Sequence, residues 1–487
     1  MRRIEMRNRF RGKQGLAALA ATVAGVVLVL LLPSATDLML GATLVIVISL
    51  LMMHRSSGLF NLRAPTIPTL CYLVYLVMVV VPAFFVYKDQ VEPYRTQYLL
   101  SVESALITVP FGVFVVNFLL GYEPGETVQY FKKPMGEPPV ALPSVLAFLA
   151  ILIIPVTFAA IHFSEVRTVP LIYLLQHPGD YFALLGLREE SFAVLDSRFA
   201  YFYGLTRETL FPFVIVVSFG RFLTSKSTRW LGLFAMALVG GLFYAAMTIE
   251  KAPVALIVLL LAVFYYLYRS GRVAKAFYVL TPVFFTSFPL FIYWRQAPGL
   301  RRGIGDAFAD VLERLFYAPA EVLYYYFEVF PDVHPFQHGA TIGRFRALLG
   351  VADPDVPRLV GLYMDPFAMS SIHANSGFIG SLYADFGLSG VLVGGVVAGM
   401  LMAALQVYLV RQKRDALNLS VYAFSALKFA TICFTPLPVV LLSEGVLVVP
   451  ALAITLIVLE RFTLKLGAGG AVAERPRNFA GAVEPPG

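Results

Sequence analysis

The polar run from Ser371 to Ser376 contains His373, the side chain in this chain best placed for acid–base chemistry, and Asn375, a candidate for substrate binding. Histidine changes its protonation state near neutral pH, so it can accept or release a proton under physiological conditions. The run opens a stretch of forty residues without proline, which becomes wholly apolar before it ends at Val410. The alternative interpretation of His373 is a polar residue that is hydrogen-bonded at the start of a helix.

Two long segments, 163–208 and 294–382, contain eleven arginines and no lysine. The planar guanidinium group binds phosphate or carboxylate through two parallel hydrogen bonds, which a lysine ammonium cannot do. As a set, these arginines predict a surface for an anionic ligand, although the fifteen Asp and Glu of the same segments are alternative partners for each one. The arginines that we nominate as ligands are Arg295 and Arg314 first, and then Arg198, Arg301, Arg302 and Arg344.

Two lysines stand in unusual positions. Lys251 follows Glu250 at the start of an apolar block, where it either contacts a substrate or forms an ion pair at the membrane interface. Lys428 lies near the middle of another apolar block, where an uncompensated charge costs several kcal/mol. We therefore expect Lys428 to have a partner of opposite charge.

Metal-binding patterns are weak in this sequence. Asp353-Pro354-Asp355 has the spacing of a DxD motif, but such a triplet arises easily by chance. His334 and His338 have a spacing that could bind a metal on a helix, and Pro335 argues against a helix there. The sequence predicts neither a metal site nor another cofactor.

Membrane-spanning helices must position these residues, because 59% of the chain is hydrophobic, only 14% is charged and the mean hydropathy is +0.76. An ordinary soluble domain carries about 25% charged residues. The apolar residues form blocks of roughly 18 to 22, the length at which a helix crosses the hydrocarbon layer. The sequence thus predicts an all-α fold, a polytopic membrane helix bundle of about twelve transmembrane helices. The predicted spans are 15–32, 37–53, 67–87, 99–120, 142–162, 209–224, 230–248, 252–268, 276–293, 383–410, 419–441 and 445–460.

The distribution of Lys and Arg predicts that both termini are cytoplasmic. With that orientation, 23 of the 38 basic residues fall in inner segments, and the short outer turns hold only Lys88, Arg95 and Lys251. Segments 163–208 and 294–382 become two long extracytoplasmic loops of a single membrane domain, 1–487, which ends in a flexible cytoplasmic tail, 466–487. The net charge of +8 is explained by this topology, so we expect no nucleic acid as a partner.

The run from His373 to Gly390, HANSGFIGSLYADFGLSG, resembles the signature near the C-terminal end of the O-antigen polymerase (Wzy) and ligase superfamily. In that superfamily a histidine and an asparagine precede an apolar helix with paired glycines. Two further features are similar: the sequence Glu250-Lys251-Ala252-Pro253 at the start of a span, and a span that ends in Tyr293-Trp294-Arg295 before a large outer loop. The resemblance covers the layout from about residue 15 to 462.

This resemblance implies a glycosyltransferase at the outer face of the bacterial cytoplasmic membrane, which uses neither a nucleotide sugar nor a metal or other cofactor. A growing glycan on undecaprenyl diphosphate would be transferred to a new lipid-linked repeat unit. His373 would be the general base for the acceptor hydroxyl, and the nominated arginines, with Lys251 and Asn375, would bind diphosphate and glycan. The implied partners are lipid-linked oligosaccharides, the bilayer, a chain-length regulator and a flippase.

Two other functions stay open. A ligase would transfer the finished glycan to a terminal acceptor, and the sequence barely separates it from a polymerase. A transporter, such as a flippase for lipid-linked oligosaccharides, would also suit twelve spans. Transporters usually show repeated halves and short loops, whereas this sequence shows no internal repeat and has an outer loop of nearly ninety residues.

Overall fold

A computed structural model of the chain is dominated by helices, and no β-strand occurs among the residues it describes. Those residues are 35–59, 63–136, 142–177, 197–269, 312–342, 354–366 and 374–473, with single residues at 61, 305 and 309 and several between 180 and 191. Helices are expected within lipid, because a helix forms hydrogen bonds between its own backbone N–H and C=O groups. In chain order, the described helices are α1 (Ala35–Ser57), α2 (Ile67–Asp89, with a π-helical turn at Leu76–Val80), α3 (Tyr94–Leu119), α4 (Pro124–Lys132), α5 (Leu142–Glu165), α6 (Pro170–Gln176), α7 (197–225, with a π-helical turn at Thr206–Leu210), α8 (Thr228–Ala246), α9 (Lys251–Tyr268), α10 (Ala318–Val329, preceded by a π-helical turn at Glu313–Tyr317), α11 (Val356–Met364), α12 (Phe378–Arg411), α13 (Ala416–Ala430), α14 (Leu437–Leu442) and α15 (Val448–Ala473).

Eight helices in the described part of the chain are long and apolar enough to cross a membrane, and the architecture is that of a multi-pass membrane protein. These candidate spans lie in α1, α2, α3, α5, α7, α8, α12 and α13. Helix α9 is a shorter apolar helix over Ala252–Tyr268. The predicted spans 15–32 and 276–293 lie outside the described residues.

The largest difference from the predicted spans is a break within 419–441. Helix α13 ends at Ala430, and a 3₁₀ turn, the short helix α14 and irregular residues follow before α15 begins. Pro436 and Pro438 explain the break, because a proline ring has no N–H to donate and clashes with the preceding turn of a helix. We call residues 431–447 the interhelix segment.

Helical structure also enters stretches that the sequence predicts as loop or tail. Helix α6 and the beginning of α7 lie within 163–208, and α10 and α11 lie within 294–382. At the C-terminus, α15 continues to Ala473 and so includes the first residues of 466–487.

One end of the bundle gathers the basic clusters. Arg414 donates from Nη2 to the carbonyl of Tyr268 at 3.0 Å, and its own carbonyl accepts from the N–H of Gly136 at 2.8 Å. Arg411 donates from Nη2 to the carbonyl of Leu120 at 3.0 Å. We call this the basic end, and these contacts bring together residues 120–136, Tyr268 at the end of α9 and residues 411–415.

The opposite end holds the turn between α2 and α3, and α10 lies over it. Tyr324 donates its hydroxyl to the carbonyl of Val91 at 3.3 Å, and the Tyr94 hydroxyl donates to Asp332 Oδ2 at 2.8 Å. From α12, Tyr383 donates to Gln97 Oε1 at 2.8 Å. We call this the loop end, since residues of the predicted second long loop cover it.

Helices α3 and α12 pack with their backbones in contact. A Cβ atom added at Gly399 would lie 2.1 Å from the carbonyl oxygen of Val109, and one added at Gly112 would lie 2.1 Å from that of Val396. Small residues permit such close approach, which is a main source of helix association in lipid. These contacts involve the part of α12 that follows Gly387, where the backbone leaves the helical conformation with φ 64° and ψ −154°.

Candidate functional site

A cleft of about 400 Å³ opens at the loop end, where five parts of the chain meet. One wall comes from α10 and the loop that follows it, a second from the start of α11, and a third from the run before α12. The interhelix segment closes the fourth side. The lining residues are Tyr326, Thr341, Pro354, Asp355, Val356, Pro357, Asn375, Ser381, Phe434, Thr435, Pro436 and Val439.

The run Ala374–Gly377 is fixed against its surroundings through its backbone. The N–H of Ala374 donates to the carbonyl of Pro357 at 2.9 Å, and the carbonyl of Ala374 accepts from the Tyr326 hydroxyl at 2.9 Å. A Cβ atom added at Gly377 would lie 2.3 Å from the carbonyl oxygen of Cys433. Another backbone, that of Cys433, therefore approaches closely at Gly377. Asn375, between these fixed points, is exposed in the cleft.

Asp385 holds the loop that carries Thr341. Its Oδ1 accepts from the N–H groups of Gly339 at 3.0 Å and of Thr341 at 3.3 Å, and its Oδ2 accepts from the Thr341 hydroxyl. Asp385 is buried and sits in α12, two turns after the run that lines the cleft. Its role in this geometry is to anchor one wall of the cleft.

The Tyr326 hydroxyl is the buried donor of the cleft wall. Burial raises the pKa of Tyr326 well above its ordinary value, so the phenol stays protonated and donates to Ala374 throughout the physiological range. The cleft wall at this position is therefore insensitive to pH.

A chain of alternating charges lies on the other side of the interhelix segment. Lys428 Nζ is 3.2 Å from Glu208 Oε2 and 3.5 Å from Glu444 Oε2, and the Lys428 side chain is only 3% exposed. Arg207 Nε is 3.2 Å from Glu208 Oε1, and Arg207 also pairs with Glu250. The predicted partner of opposite charge for Lys428 is thus confirmed, and there are two.

The ends of the interhelix segment are tied together by this chain. Lys428 precedes the segment, Glu444 lies near its end, and the Thr431 hydroxyl donates to Glu444 Oε2 at 2.7 Å. A Cβ atom added at Gly445 would lie 2.2 Å from Thr209 Cγ2, so the segment returns directly onto the π-helical turn of α7. The same turn carries Arg207 and Glu208. Because π-helical turns occur often at functional sites, this turn supports a functional region on both sides of the segment.

The structure describes four of the nominated site residues. Asn375 lines the cleft. Arg198 belongs to the first part of α7, which contacts the interhelix segment through the hydroxyl of Tyr201 and the carbonyl of Leu442 at 3.4 Å. Lys251 is the first residue of α9, next to Glu250 of the charged chain. Arg314 is exposed in the π-helical turn before α10 and is not among the residues that line the cleft. The nominated residues outside the described part are His373, Arg295, Arg301, Arg302 and Arg344.

Several buried charges were not singled out from the sequence. Glu103 in α3 is 0% exposed, and its two carboxylate oxygens have no hydrogen-bond partner among the residues that the structure describes. The sequence could have indicated Glu103 as unusual, because it is a carboxylate inside the predicted span 99–120. Glu208 and Glu444 are harder to identify from the sequence, because they lie at the edges of apolar blocks, where charged residues are common.

Within the described residues, no group of three or more His, Cys, Asp or Glu side chains is arranged to hold a metal ion. Comparison of the chain with protein-family models, with curated proteins and with solved structures finds no match.

Proposed function

We propose that this protein is a membrane glycosyltransferase that polymerises undecaprenyl-diphosphate-linked oligosaccharide repeat units into a surface polysaccharide. The acceptor hydroxyl attacks the anomeric carbon of the donor glycan, and the bond from that carbon to the diphosphate oxygen breaks. Undecaprenyl diphosphate leaves with the bonding electron pair. The product is a glycan longer by one repeat unit on the acceptor lipid.

The observation that carries this proposal is the cleft at the loop end. Asn375 belongs to the run that resembles the polymerase and ligase superfamily, and it meets polar residues of the four other parts of the chain in a space of about 400 Å³. Binding pockets for small molecules have volumes of about 300 to 1,000 Å³. A site at the end of a helix bundle also suits two substrates that are both held by lipid tails.

His373 is the proposed general base, and it precedes Asn375 by two residues. It would accept the proton of the acceptor hydroxyl as the new bond forms, which is a role suited to a group that titrates near neutral pH. Guanidinium groups would stabilise the developing charge on the diphosphate. Arg295 and Arg314 are the proposed diphosphate ligands, with Arg198, Arg301, Arg302, Arg344 and Lys251 as further contacts.

The proposed setting is the bacterial cytoplasmic membrane, with about twelve spans, both termini in the cytoplasm and the loop end outside. The segregation of basic residues supports this orientation, because residues of the inner segments meet at the basic end. A flippase that delivers lipid-linked units and a chain-length regulator are the proposed partners in the pathway.

A transporter is the second candidate, and the charged chain favours it. Lys428, Glu208 and Glu444 lie within or beside candidate spans, and ionisable residues there often mark the paths of protons or other ions. A flippase would move lipid-linked oligosaccharide across a vesicle membrane without lengthening it. A ligase would transfer the glycan only to a terminal acceptor, so the lipid-linked glycan would not become longer.

The test is single-turnover transfer between two purified lipid-linked repeat units, normalised to folded protein. General-base catalysis typically contributes 10² to 10⁴-fold, so His373→Ala should lower the rate by about that factor and leave the thermal unfolding temperature unchanged. His177→Ala is the matched control, because His177 is an exposed histidine of segment 163–208 that does not line the cleft.

A near-native rate for His373→Ala would remove the base assignment. Failure of the wild-type protein to lengthen the glycan would remove the polymerase proposal itself. Translocation of the lipid-linked unit by that same protein, measured in reconstituted vesicles, would then establish the transporter.

A further inference from the structure

Three helices end close together at the basic end, and exposed cations follow each of these ends. Helix α4 ends at Lys132 and is followed by Lys133. Helix α9 is followed by Arg269, and α12 is followed by Gln412 and Lys413. We call Lys132, Lys133, Arg269 and Lys413 the cationic patch, and all four residues are exposed.

The buried residue Arg414 holds these helix ends together. Its guanidinium group donates to the carbonyl of Lys133 at 2.5 Å and to that of Tyr268 at 3.0 Å. Arg269 follows Tyr268 in the chain, and Lys413 precedes Arg414. The backbone at each part of the patch therefore converges on one guanidinium group, and the fold gathers the four cations at one place.

Gathering cations in this way has an electrostatic consequence. Like charges that lie close together repel each other, and the repulsion falls when an anion binds between them. At the neighbouring end of α12, Arg411 Nε lies 3.2 Å from the carboxylate oxygen Oε2 of Glu126, which is an anion from the protein itself. The exposed cations of the patch are accessible to an anion from outside the protein.

The patch lies at the height of a membrane surface. The candidate span in α12 ends at Arg411, and the apolar helix α9 ends at Tyr268. Tyr265 and Tyr268 are partly exposed in the last turn of α9, and Tyr408 is exposed in the last turn of α12. Tyrosine is enriched where the hydrocarbon layer meets the lipid headgroups. Clusters of Lys and Arg directly after membrane spans typically attract anionic lipids.

We propose that the cationic patch binds the phosphate groups of anionic glycerophospholipids. The phosphate oxygens accept charge-assisted hydrogen bonds from the ammonium and guanidinium groups of the patch, and the acyl chains lie along the ends of α9 and α12. A free phosphate ion has the same headgroup chemistry but lacks the acyl chains, so it would bind more weakly. The patch and the cleft lie at opposite ends of the bundle, and lipid binding at the patch is therefore separate from glycan transfer.

The test measures lipid binding by the purified protein in a nonionic detergent. The probes are phosphatidylglycerol, which is anionic, and phosphatidylcholine, which is zwitterionic. Native mass spectrometry gives the fraction of protein with bound lipid at each lipid mole fraction. Each cation near an anionic lipid surface strengthens binding about fivefold, so Lys133→Gln/Arg269→Gln should weaken phosphatidylglycerol binding about thirtyfold. Binding of phosphatidylcholine, which is weaker in the wild-type protein, should change by less than about twofold.

Lys88→Gln/Arg358→Gln is the matched control, because it removes one exposed lysine and one exposed arginine at the loop end. It should leave phosphatidylglycerol binding unchanged, since charges at the far end of the bundle are screened by salt. Lys132→Gln/Lys413→Gln removes the other two cations of the patch. It should weaken phosphatidylglycerol binding to a similar degree, and it provides the measurement if the first variant does not fold.

Native phosphatidylglycerol affinity in both patch variants would overturn the assignment, and so would an equal loss of affinity in the control variant. Equal affinity of the wild-type protein for the two lipids would show that the patch does not recognise the charge of the headgroup. Binding of inorganic phosphate as tight as that of phosphatidylglycerol would identify a site for a free anion and overturn the lipid assignment.

Discussion

Lys428 carries a positive charge among apolar residues and forms ion pairs with two carboxylates. A lysine surrounded by apolar residues must have a partner, since a lone ammonium in lipid is too costly, and the structure supplies Glu208 and Glu444. The identity of these partners could not be predicted, because Glu208 is 220 positions away in the chain. Glu103 is a buried carboxylate. The sequence shows that it lies inside a predicted span, but it does not show which residues surround it.

Removing the charge of Lys428 should destabilise the protein. Lys428→Met leaves Glu208 and Glu444 without their shared cation, and breaking a buried ion pair in this way typically costs about 3 to 5 kcal/mol. We expect a clear fall in the thermal unfolding temperature in detergent. The double variant Lys428→Met/Glu444→Gln should recover part of the loss, because it removes the charge of Glu444, while Glu208 keeps its ion pair with Arg207.

Lys413→Met is the control for this prediction, because Lys413 is an exposed lysine at the basic end. Substitutions of exposed residues usually change stability by less than about 0.5 kcal/mol. Equal unfolding temperatures for Lys428→Met and Lys413→Met would show that the ion pairs contribute nothing measurable to stability.

The hydrophobic blocks of the sequence predict the positions of most of the described spans. They do not predict the point at which a helix ends inside an apolar stretch. The sequence predicts continuous helix over 419–441, whereas α13 ends at Ala430 and the interhelix segment follows. Hydropathy cannot detect this break, because the residues on both sides of it remain apolar. The prolines of the segment were the available signal, and the approach of Gly377 to Cys433 depends on tertiary contact that no local pattern records.

The contact between α3 and α12 gives a prediction with a matched control. Gly399→Ala places a Cβ atom against the Val109 carbonyl, so the two helices must separate, and overpacking of this kind typically costs about 1 to 3 kcal/mol. Among the described residues, a Cβ atom added at Gly232 in α8 meets no heavy atom within 4 Å outside its own turn of helix, so Gly232→Ala should be neutral or slightly stabilising. The measurement is thermal unfolding of both variants in the same detergent. A loss for Gly232→Ala as large as that for Gly399→Ala would contradict the close packing.

At the scale of the whole molecule, the sequence predicts which segments share an end. Basic charge assigns the segments that contain Lys132 and Lys133, Arg269, and Arg411 to Arg414 to one side, and hydrogen bonds at the basic end join residues of these segments with Tyr268, which precedes Arg269. Residues 89–97 were assigned to the other side and contact α10 and α12 at the loop end. Charge could predict this division because it reflects membrane insertion, while the packing of helices within the bundle leaves no such trace in the composition.

The orientation of these two ends is the last prediction. Because basic residues of short loops are retained in the cytoplasm, a reporter fused after Lys133 or Arg414 should report the cytoplasm. A reporter inserted at Val333, an exposed residue next to α10, should report the outside. Paired fusions of alkaline phosphatase and a cytoplasm-active fluorescent protein at each site provide the measurement, with each signal normalised to the amount of protein. A cytoplasmic signal at Val333 together with an external signal after Lys133 would invert the molecule. The cleft would then face the cytoplasm, where a transferase that acts on externally displayed lipid-linked units could not reach its substrates.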